Sequence, residues 1–254
     1  MKIVIVGTGN IATFFAQKLI EAQHEIVQVI SATLEHAKNF ANIYKCNFTD
    51  DIRQIYTDAD AYIFAVKDDV LIQFSHEIIL QNKLVIHTAG SVSLAQIKNI
   101  SDRVACIWCV YSINKNNLPI EKNIPLVVNS IRYEDLNIVK SFAETISENI
   151  YELDDVQKSN VHLAAVFANN FVNHLYTISY SILDKKNISF DILKPIIQDT
   201  AQKILKHNPA EIQTGPAIRG DEKTMKKHLG MLKEDKILTE IYLLISESII
   251  LKNI

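Results

Sequence analysis

Cysteine, long apolar runs and excess charge of either sign are all scarce in this chain, and each scarcity excludes a class of protein. Three cysteines among 254 residues are too few, and odd in number, for a disulfide framework, and they indicate a reducing, cytoplasmic setting. The apolar runs are too short and too interrupted to span a bilayer. The first predicted strand follows Met1 directly, so we expect no signal peptide.

Basic residues are not in excess either. The chain has 26 Lys and Arg against 29 Asp and Glu, for a formal net charge of −3. A nucleic-acid-binding surface normally needs a basic patch or stripe, and this balance indicates none. We therefore expect a small-molecule substrate, with neither nucleic acid nor membrane as a partner.

Two of the cysteines form a C-x-x-C sequence at Cys106 and Cys109. They lie within or just after an apolar strand predicted over residues 104–110, and no helix N-terminus stands there to lower a thiol pKa. No second Cys/His pair at zinc spacing accompanies them. We interpret both thiols as small buried hydrophobic groups and predict no metal site.

Glycine is rare as well, with six residues in the chain, yet two of them stand together after the first strand. The segment Ile3–Val6 predicts a short buried parallel strand. Gly7 allows a tight turn, Gly9 lets the backbone approach a pyrophosphate, and Ala12 permits close packing of helix on strand. A helix predicted over residues 13–22 would point its free N–H groups and positive dipole end at the phosphates. The residues we expect to contact the cofactor are Gly7, Thr8, Gly9, Asn10 and Ile11.

The end of the second predicted strand favours NADP over NAD. NAD-specific folds commonly place an acidic residue about 20 residues past the glycines, where it holds the ribose hydroxyls. No carboxylate stands there, but Ser31 and Thr33 could donate to a 2′-phosphate, with His36 or Lys38 nearby for charge. The arginine that commonly grips this phosphate is missing, because Ala32 occupies its place. An alternative role for Thr33 is to cap the next helix.

Apolar, strand-like segments alternate with helical ones over the first 150 or so residues, which is typical of a parallel, doubly wound sheet. The predicted strands are Ile3–Val6, Ile26–Ile30, Ala61–Val66, Leu84–His87, Val104–Cys109, Leu126–Asn129 and Ile150–Leu153. Ligands of such folds bind beyond the carboxyl ends of the strands. Val66, His87 and Gly90 are therefore further candidate cofactor contacts. The alternative for His87 is a strand residue that donates to a neighbouring backbone group.

From Val156 to Leu183 the sequence contains neither glycine nor proline, which predicts a helix of about 40 Å at roughly 1.5 Å per residue. One face is apolar and is expected in the core; it carries Phe167, Phe171, Leu175, Ile178 and Ile182. The other face is polar without formal charge; it carries His162, Asn169, Asn173 and Thr177, with Ser159 and Asn170 beside them. Such groups are costly to bury without hydrogen bonds, so this face predicts a polar cleft or a shared interface, the alternative being a solvated face. Lys158 is expected to lie away from the His162 stripe.

A second dense motif covers residues 213–221, where two glycines and a proline predict an ordered loop between helices. Arg219 in this small-residue loop is suited to bind a carboxylate or a phosphate. Asp221 is either part of that site or the N-cap of a helix predicted over Glu222–Leu232. His228, about two turns into that helix, is interpreted as a packing residue.

Taken together, these motifs resemble a bacterial family of NADP oxidoreductases whose substrates are unassigned. The resemblance is carried by residues 7–12, 87–90, 162–170 and 214–221. It implies an α/β fold: a doubly wound NADP-binding Rossmann domain over residues 1–153, then an all-α substrate or dimerisation domain over residues 154–254. The helical domain is similar to the 6-phosphogluconate dehydrogenase C-terminal type. More distantly the chain is similar to pyrroline-5-carboxylate reductase and the β-hydroxyacid dehydrogenases, whose helical domains often build dimers, so the resemblance also implies a homodimer.

The leading hypothesis is an NADPH-dependent reductase of a small carbonyl or imine substrate. His162 is the candidate general acid/base, because histidine side chains ordinarily titrate at about pH 6.5. Asn170 would orient the substrate or the nicotinamide, and Arg219 would bind a substrate carboxylate or phosphate. The alternative hypothesis is a non-catalytic NADP-binding sensor or assembly module. A flavin- or deazaflavin-linked reaction also stays open.

Overall fold

The structure is a computed structural model that describes residues 1–120 and 123–252. The chain divides into two compact units, Met1–Asn173 and a second that starts at His174. The first unit therefore contains the sheet and the beginning of the long helical stretch. The functional boundary after residue 153 stays a prediction.

The first unit is built on eight strands with helices between them. The strands are β1 Lys2–Val6, β2 Glu25–Ile30, β3 Asn47–Thr49, β4 Ala61–Phe64, β5 Leu84–His87, β6 Arg103–Cys109, β7 Leu126–Ser130 and β8 Ile150–Glu152. The helices that follow them are α1 Asn10–Glu21, α2 Leu34–Tyr44, α3 Asp68–Phe74, α4 Leu94–Ile97 and α5 Tyr133–Glu144, with a 3₁₀ turn at Ile52–Gln54. The strand order across the sheet is β3-β2-β1-β4-β5-β6-β7-β8.

The predicted Rossmann architecture is confirmed, but the sheet is mixed rather than wholly parallel. Every neighbouring pair is parallel except β6 and β7, which run antiparallel with Trp108 opposite Val127. Antiparallel neighbours need no crossover helix, and the described residues between these two strands form none. The sequence also missed β3, because three residues that begin with Asn47 show no apolar alternation.

Both faces of the sheet are covered by apolar side chains, as expected for parallel strands. Alternate residues of β1 enter two separate core layers, Ile3 and Ile5 in one and Val4 and Val6 in the other. Cys106 and Cys109 belong to different layers as well. Burial raises the pKa of the Cys106 thiol to about 12 and that of Cys109 well above its ordinary range. The interpretation of both thiols as small hydrophobic groups is confirmed.

The remaining elements are helical among the described residues. They are α6 Asp155–Ala165, a π-helical stretch Val166–Phe171, α7 Val172–Asp184, a 3₁₀ turn Phe190–Leu193, α8 Lys194–Ile204, α9 Glu222–Leu232 and α10 Lys236–Lys252. The helix predicted over residues 156–183 is thus helical throughout, with a π-helical interruption that the sequence did not indicate. Asp221 caps α9, since its carboxylate accepts a hydrogen bond from the N–H of Thr224 at 3.0 Å. Within the described residues, no helix has the length and apolarity that a membrane crossing requires.

The apolar stripe predicted for the core is largely exposed in the single chain. Phe167 is 61% exposed and Phe171 50%, and Leu175 and Ile182 are exposed as well. The expectation of burial is wrong for these four side chains, although within the second unit Leu175 and Ile182 line a pocket together with Tyr242 of α10. Helical periodicity shows which residues share a face, but not whether the same chain supplies a cover.

Candidate functional site

A cleft of about 1360 Å³ lies beyond the carboxyl ends of β1, β2, β4 and β5. It gathers most of the residues that the sequence predicts as cofactor contacts: Gly7, Thr8, Gly9, Asn10, Ile11, Ser31, Val66 and Gly90. These residues are distant in sequence, and they meet because the ends of neighbouring parallel strands share one edge of the sheet. Thr33 and His87 are not among the lining residues.

The turn between β1 and α1 has the geometry of an anion-binding loop. Gly7 has a φ of +119°, and a Cβ there would lie 2.2 Å from the carbonyl oxygen of Ala65. A Cβ on Gly9 would meet no atom within 4 Å, so there is room beside it. Gly9 caps α1 without a side-chain hydrogen bond, and the first turn of the helix carries no acidic residue. Free N–H groups beside open space fit a pyrophosphate.

The hydroxyl groups at the end of β2 already have partners in the protein. The Ser31 Oγ lies 2.8 Å from the Oγ1 of Thr8, so the two join the ends of β1 and β2. The Thr33 Oγ1 accepts from the N–H of His36 at 3.4 Å, which confirms its alternative role as the cap of α2. Of Ser31 and Thr33, Ser31 lines the cleft and Thr33 does not.

His162 lies against the side of the cleft that Gly90 forms. Its ring packs edge-on to Trp108, with 5.5 Å between ring centroids. A Cβ added to Gly90 would lie 2.6 Å from the Cδ2 of His162 and 2.7 Å from the Cε2 of Trp108. Gly90 therefore lets the imidazole lie directly against the backbone that lines the cleft. The sequence singled out both residues, but not their contact.

The sequence analysis expected Lys158 to lie away from the helix face of His162, and this prediction is wrong. Lys158 stands four residues before His162 in α6, so the two side chains share a helix face. Its side chain is fully buried, and its Nζ donates to the carbonyl oxygen of Val92 at 2.5 Å and lies 3.1 Å from the Oδ1 of Asp155. The Sγ of Cys106 is 3.8 Å away. Counting four residues back from His162, which is one helical turn, would have identified this lysine.

Asp155 completes the attachment of α6 to the segment after β5. Its Oδ2 accepts from the N–H of Leu94 at 2.9 Å, while its Oδ1 pairs with Lys158. The first turn of α6 therefore holds both the carbonyl of Val92 and the N–H of Leu94. Because His162 follows one turn later, this attachment positions its ring on Gly90.

His87 lies under the cleft rather than in it. It is fully buried, its Nδ1 accepts from the N–H of Ala89 at 3.3 Å, and its Nε2 has no hydrogen-bond partner among the described residues. Burial, and to a lesser degree the charge of Lys158, lower its pKa to about 3. The ring is therefore neutral near pH 7. It accepts a hydrogen bond from the backbone, whereas the alternative interpretation of the sequence had it donate one.

The other two candidate catalytic residues are exposed. Asn170 lies in the π-helical stretch Val166–Phe171, a geometry that is frequent at functional sites. Arg219 belongs to the second unit, in a loop whose Gly215 and Gly220 have positive φ. Hydrogen bonds from Thr224 lower the pKa of Asp221, and the charge of Arg219 contributes in the same direction. Within the part of the chain that is described, no group of three or more potential metal ligands is present.

Comparison with known proteins places the chain in a family. Residues 2–90 match the family described as NADP oxidoreductase, coenzyme F420-dependent, and residues 124–249 match a domain of unknown function, DUF2520. A crystal structure from Bacteroides fragilis, provisionally described as an NADP oxidoreductase, is 34% identical with a TM-score of 0.90, covering 98% of this chain and 97% of that one. The chain belongs to this NADP oxidoreductase family. The resemblance inferred from the motifs is confirmed.

The chain shares its fold with reductases of more distant sequence. Pyrroline-5-carboxylate reductase from Streptococcus pyogenes is 14% identical, with a TM-score of 0.67 over 98% of both chains. An imine reductase from Myxococcus stipitatus, solved with NADP⁺, is 12% identical with a TM-score of 0.66 over 98% of this chain and 92% of that one; a variant of that enzyme was solved with NAD⁺. At these identities the likeness shows the fold alone. None of the curated proteins matches the chain.

Proposed function

We propose that this family member is an NADPH-dependent reductase of a small carbonyl or imine compound. The observation that supports the proposal is the contact of the His162 imidazole with Gly90, because an imidazole can transfer a proton and Gly90 lines the cleft. The family membership supports a nicotinamide cofactor. The imine reductase and pyrroline-5-carboxylate reductase of the same fold support the substrate class.

In this proposal the glycine-rich turn and the N-terminus of α1 hold the pyrophosphate of the cofactor. The geometry of the two glycines indicates that Gly7 maintains the tight turn and that Gly9 leaves space for the phosphate groups. Thr8, Asn10 and Ile11 line the same part of the cleft. Bound there, NADPH would supply the hydride.

Reduction of a C=O or C=N bond adds a hydride to carbon and a proton to the oxygen or nitrogen. We assign the proton to His162, which would donate it to the heteroatom and be reprotonated from water. Trp108 and Gly90 fix the plane of the ring, and the Lys158–Asp155 pair fixes the helix that carries it. We propose that Asn170 orients the substrate or the nicotinamide, and that Arg219 binds a substrate carboxylate or phosphate.

We also propose that the protein is a homodimer. Phe167 and Phe171 in the first unit and Leu175 and Ile182 in the second are apolar and exposed, and exposed apolar side chains of this kind mark protein–protein contacts. The distant likeness to reductases that often form dimers points the same way. Sedimentation or light scattering of the purified protein, beside a Phe167→Asp variant, tests this part separately: a monomeric wild-type protein would contradict it.

Two successive measurements, of cofactor binding and then of turnover, test the main proposal. Purified protein is titrated with NADPH, NADP⁺, NADH and NAD⁺ by calorimetry, and then assayed with NADPH against a panel of cyclic imines, ketones and keto acids. We expect selective NADPH binding and turnover of at least one class. His162→Ala should lower kcat by about a hundredfold or more with the Kd for NADPH unchanged, while His207→Ala, at an exposed position, serves as the matched control.

Two results would redirect the assignment. Tight NADPH binding without turnover of any substrate would favour the non-catalytic sensor or assembly module. Turnover only when a reduced deazaflavin replaces NADPH would assign the cleft to that coenzyme instead. No binding of any dinucleotide would contradict the proposal as a whole.

A further inference from the structure

The cleft contains an arginine that the sequence motifs did not identify. Beyond the ends of β2 and β3 its lining includes Ser31, Ala32, His36, Asp51 and Arg53. Ala32 stands where a phosphate-binding arginine is often found in NADP-specific folds, and Arg53 brings a guanidinium to the same part of the cleft from the 3₁₀ turn that follows β3. We infer that Arg53 recognises the 2′-phosphate of NADPH and decides the preference for NADP over NAD.

The inference rests on the proposed cofactor, and it adds the residue that selects it. The 3₁₀ turn Ile52–Gln54 that carries Arg53 is fastened to β2 by the buried Gln28. The Nε2 of Gln28 donates to the carbonyl oxygen of Gln54 at 2.9 Å, and its Oε1 accepts from the N–H of Tyr56 at 2.7 Å. The Oγ1 of Thr49 donates to the Oε1 of Gln54 at 2.7 Å. The turn therefore has a defined place beside β2, the strand that ends just before Ser31.

Asp51 orients the guanidinium. The Nε and Nη2 of Arg53 donate to the two carboxylate oxygens of Asp51 at 2.8 and 3.0 Å, and the Arg53 N–H also donates to the Oδ1 at 3.0 Å. The Arg53 side chain is 80% exposed. Its Nη1 has no hydrogen-bond partner within the described residues, so an arriving phosphate can accept from it while the pair with Asp51 persists.

The carboxylates around Arg53 explain why this one residue would decide between NADP and NAD. Asp50, Asp51 and Glu77 also line the cleft, and three carboxylates would repel a 2′-phosphate. Carboxylates accept hydrogen bonds from ribose hydroxyls, as they do in NAD-specific folds. With Arg53, this part of the cleft can bind the 2′-phosphate of NADPH. Without Arg53, the remaining carboxylates favour NADH, which has a free 2′-hydroxyl.

The adenosine half of the cofactor provides a probe for this end of the cleft. We would titrate the full-length protein and its Arg53→Gln variant with NADPH, NADH, 2′,5′-ADP and 5′-AMP. Arg53→Gln should weaken NADPH and 2′,5′-ADP by about ten- to a hundredfold and leave NADH and 5′-AMP unchanged or tighter. Arg53→Lys should retain part of the affinity, because it keeps the charge but not the planar fork.

Lys98→Gln is the matched control, since it removes an exposed positive charge of the first unit that does not line the cleft. It should leave the ratio of NADPH to NADH affinity unchanged. An equal loss in Lys98→Gln and Arg53→Gln would show a general field effect and overturn the assignment of Arg53. An unchanged ratio in Arg53→Gln, with NADPH still bound by the wild-type protein, would overturn it as well. Failure of the wild-type protein to bind any dinucleotide would instead remove the proposed function.

Discussion

The ammonium group of Lys158 lies 2.5 Å from the carbonyl oxygen of Val92, and the Lys158 side chain has no exposed surface. Asp155 pairs with the same ammonium and accepts the N–H of Leu94. A charge this far from water persists only where charge and hydrogen bonds compensate it. The contact thus joins the start of α6 to the segment between β5 and α4, which contains Gly90.

Lys158→Met keeps the apolar stem and removes the ammonium. We expect the free energy of unfolding to fall by about 1–3 kcal/mol, because the Val92 carbonyl and the Asp155 carboxylate lose their partner. Urea unfolding measures this. Lys226→Met, which removes an exposed lysine paired with Glu222, is the control and should change stability by less than about 0.5 kcal/mol. Equal stability of both variants would show that the buried pair contributes little.

Gly90→Ala tests the placement of His162. The added Cβ would overlap the rings of His162 and Trp108, so the imidazole must move away from the cleft. We expect loss of turnover, together with lower stability. Gly230→Ala, in α9 with no atom near the new Cβ, should be neutral or stabilising by up to about 1 kcal/mol. Normal activity of Gly90→Ala would exclude a role for the His162 contact.

Gly7→Ala and Gly9→Ala should separate stability from cofactor affinity. At Gly7 the positive φ and the closeness of Ala65 make any Cβ strained, so we expect a lower unfolding midpoint. At Gly9 a Cβ fits the protein, so stability should be kept while the methyl group occupies room that the pyrophosphate needs. Thermal unfolding and NADPH titration of the two variants check this. Unchanged NADPH affinity in Gly9→Ala would contradict the phosphate site.

His87 should make the protein sensitive to acid. Its pKa is lowered from 6.5 to about 3 in the folded protein, so between these values the unfolded chain binds a proton that the folded chain does not. Stability should therefore fall as the pH falls through this window, by at most about 1.4 kcal/mol per pH unit for one proton. His87→Asn should flatten the dependence, measured by urea unfolding between about pH 7 and about pH 4. His207→Asn, at an exposed site, is the control, and parallel curves for wild type and His87→Asn would contradict the assignment.

Local sequence was sufficient where a structure is made by neighbours in the chain. The strand, turn and helix around Gly7 and Gly9, the cap that Thr33 provides for α2, and the helix Glu222–Leu232 with Asp221 as its cap all follow from residues within a few positions of one another. Turn geometry, capping and apolar alternation act over that range. The Rossmann architecture followed from the repetition of such units.

Tertiary structure decided what depends on residues far apart in the chain. The antiparallel pairing of β7 with β6, the burial of Lys158 against Val92, the ring of His162 on Gly90 and the approach of Arg53 to the end of β2 join segments separated by up to about 70 residues. A periodic pattern specifies which side chains share a face. Only the packing of one element on another specifies what that face meets, and whether a charge, a ring or a cleft lies there.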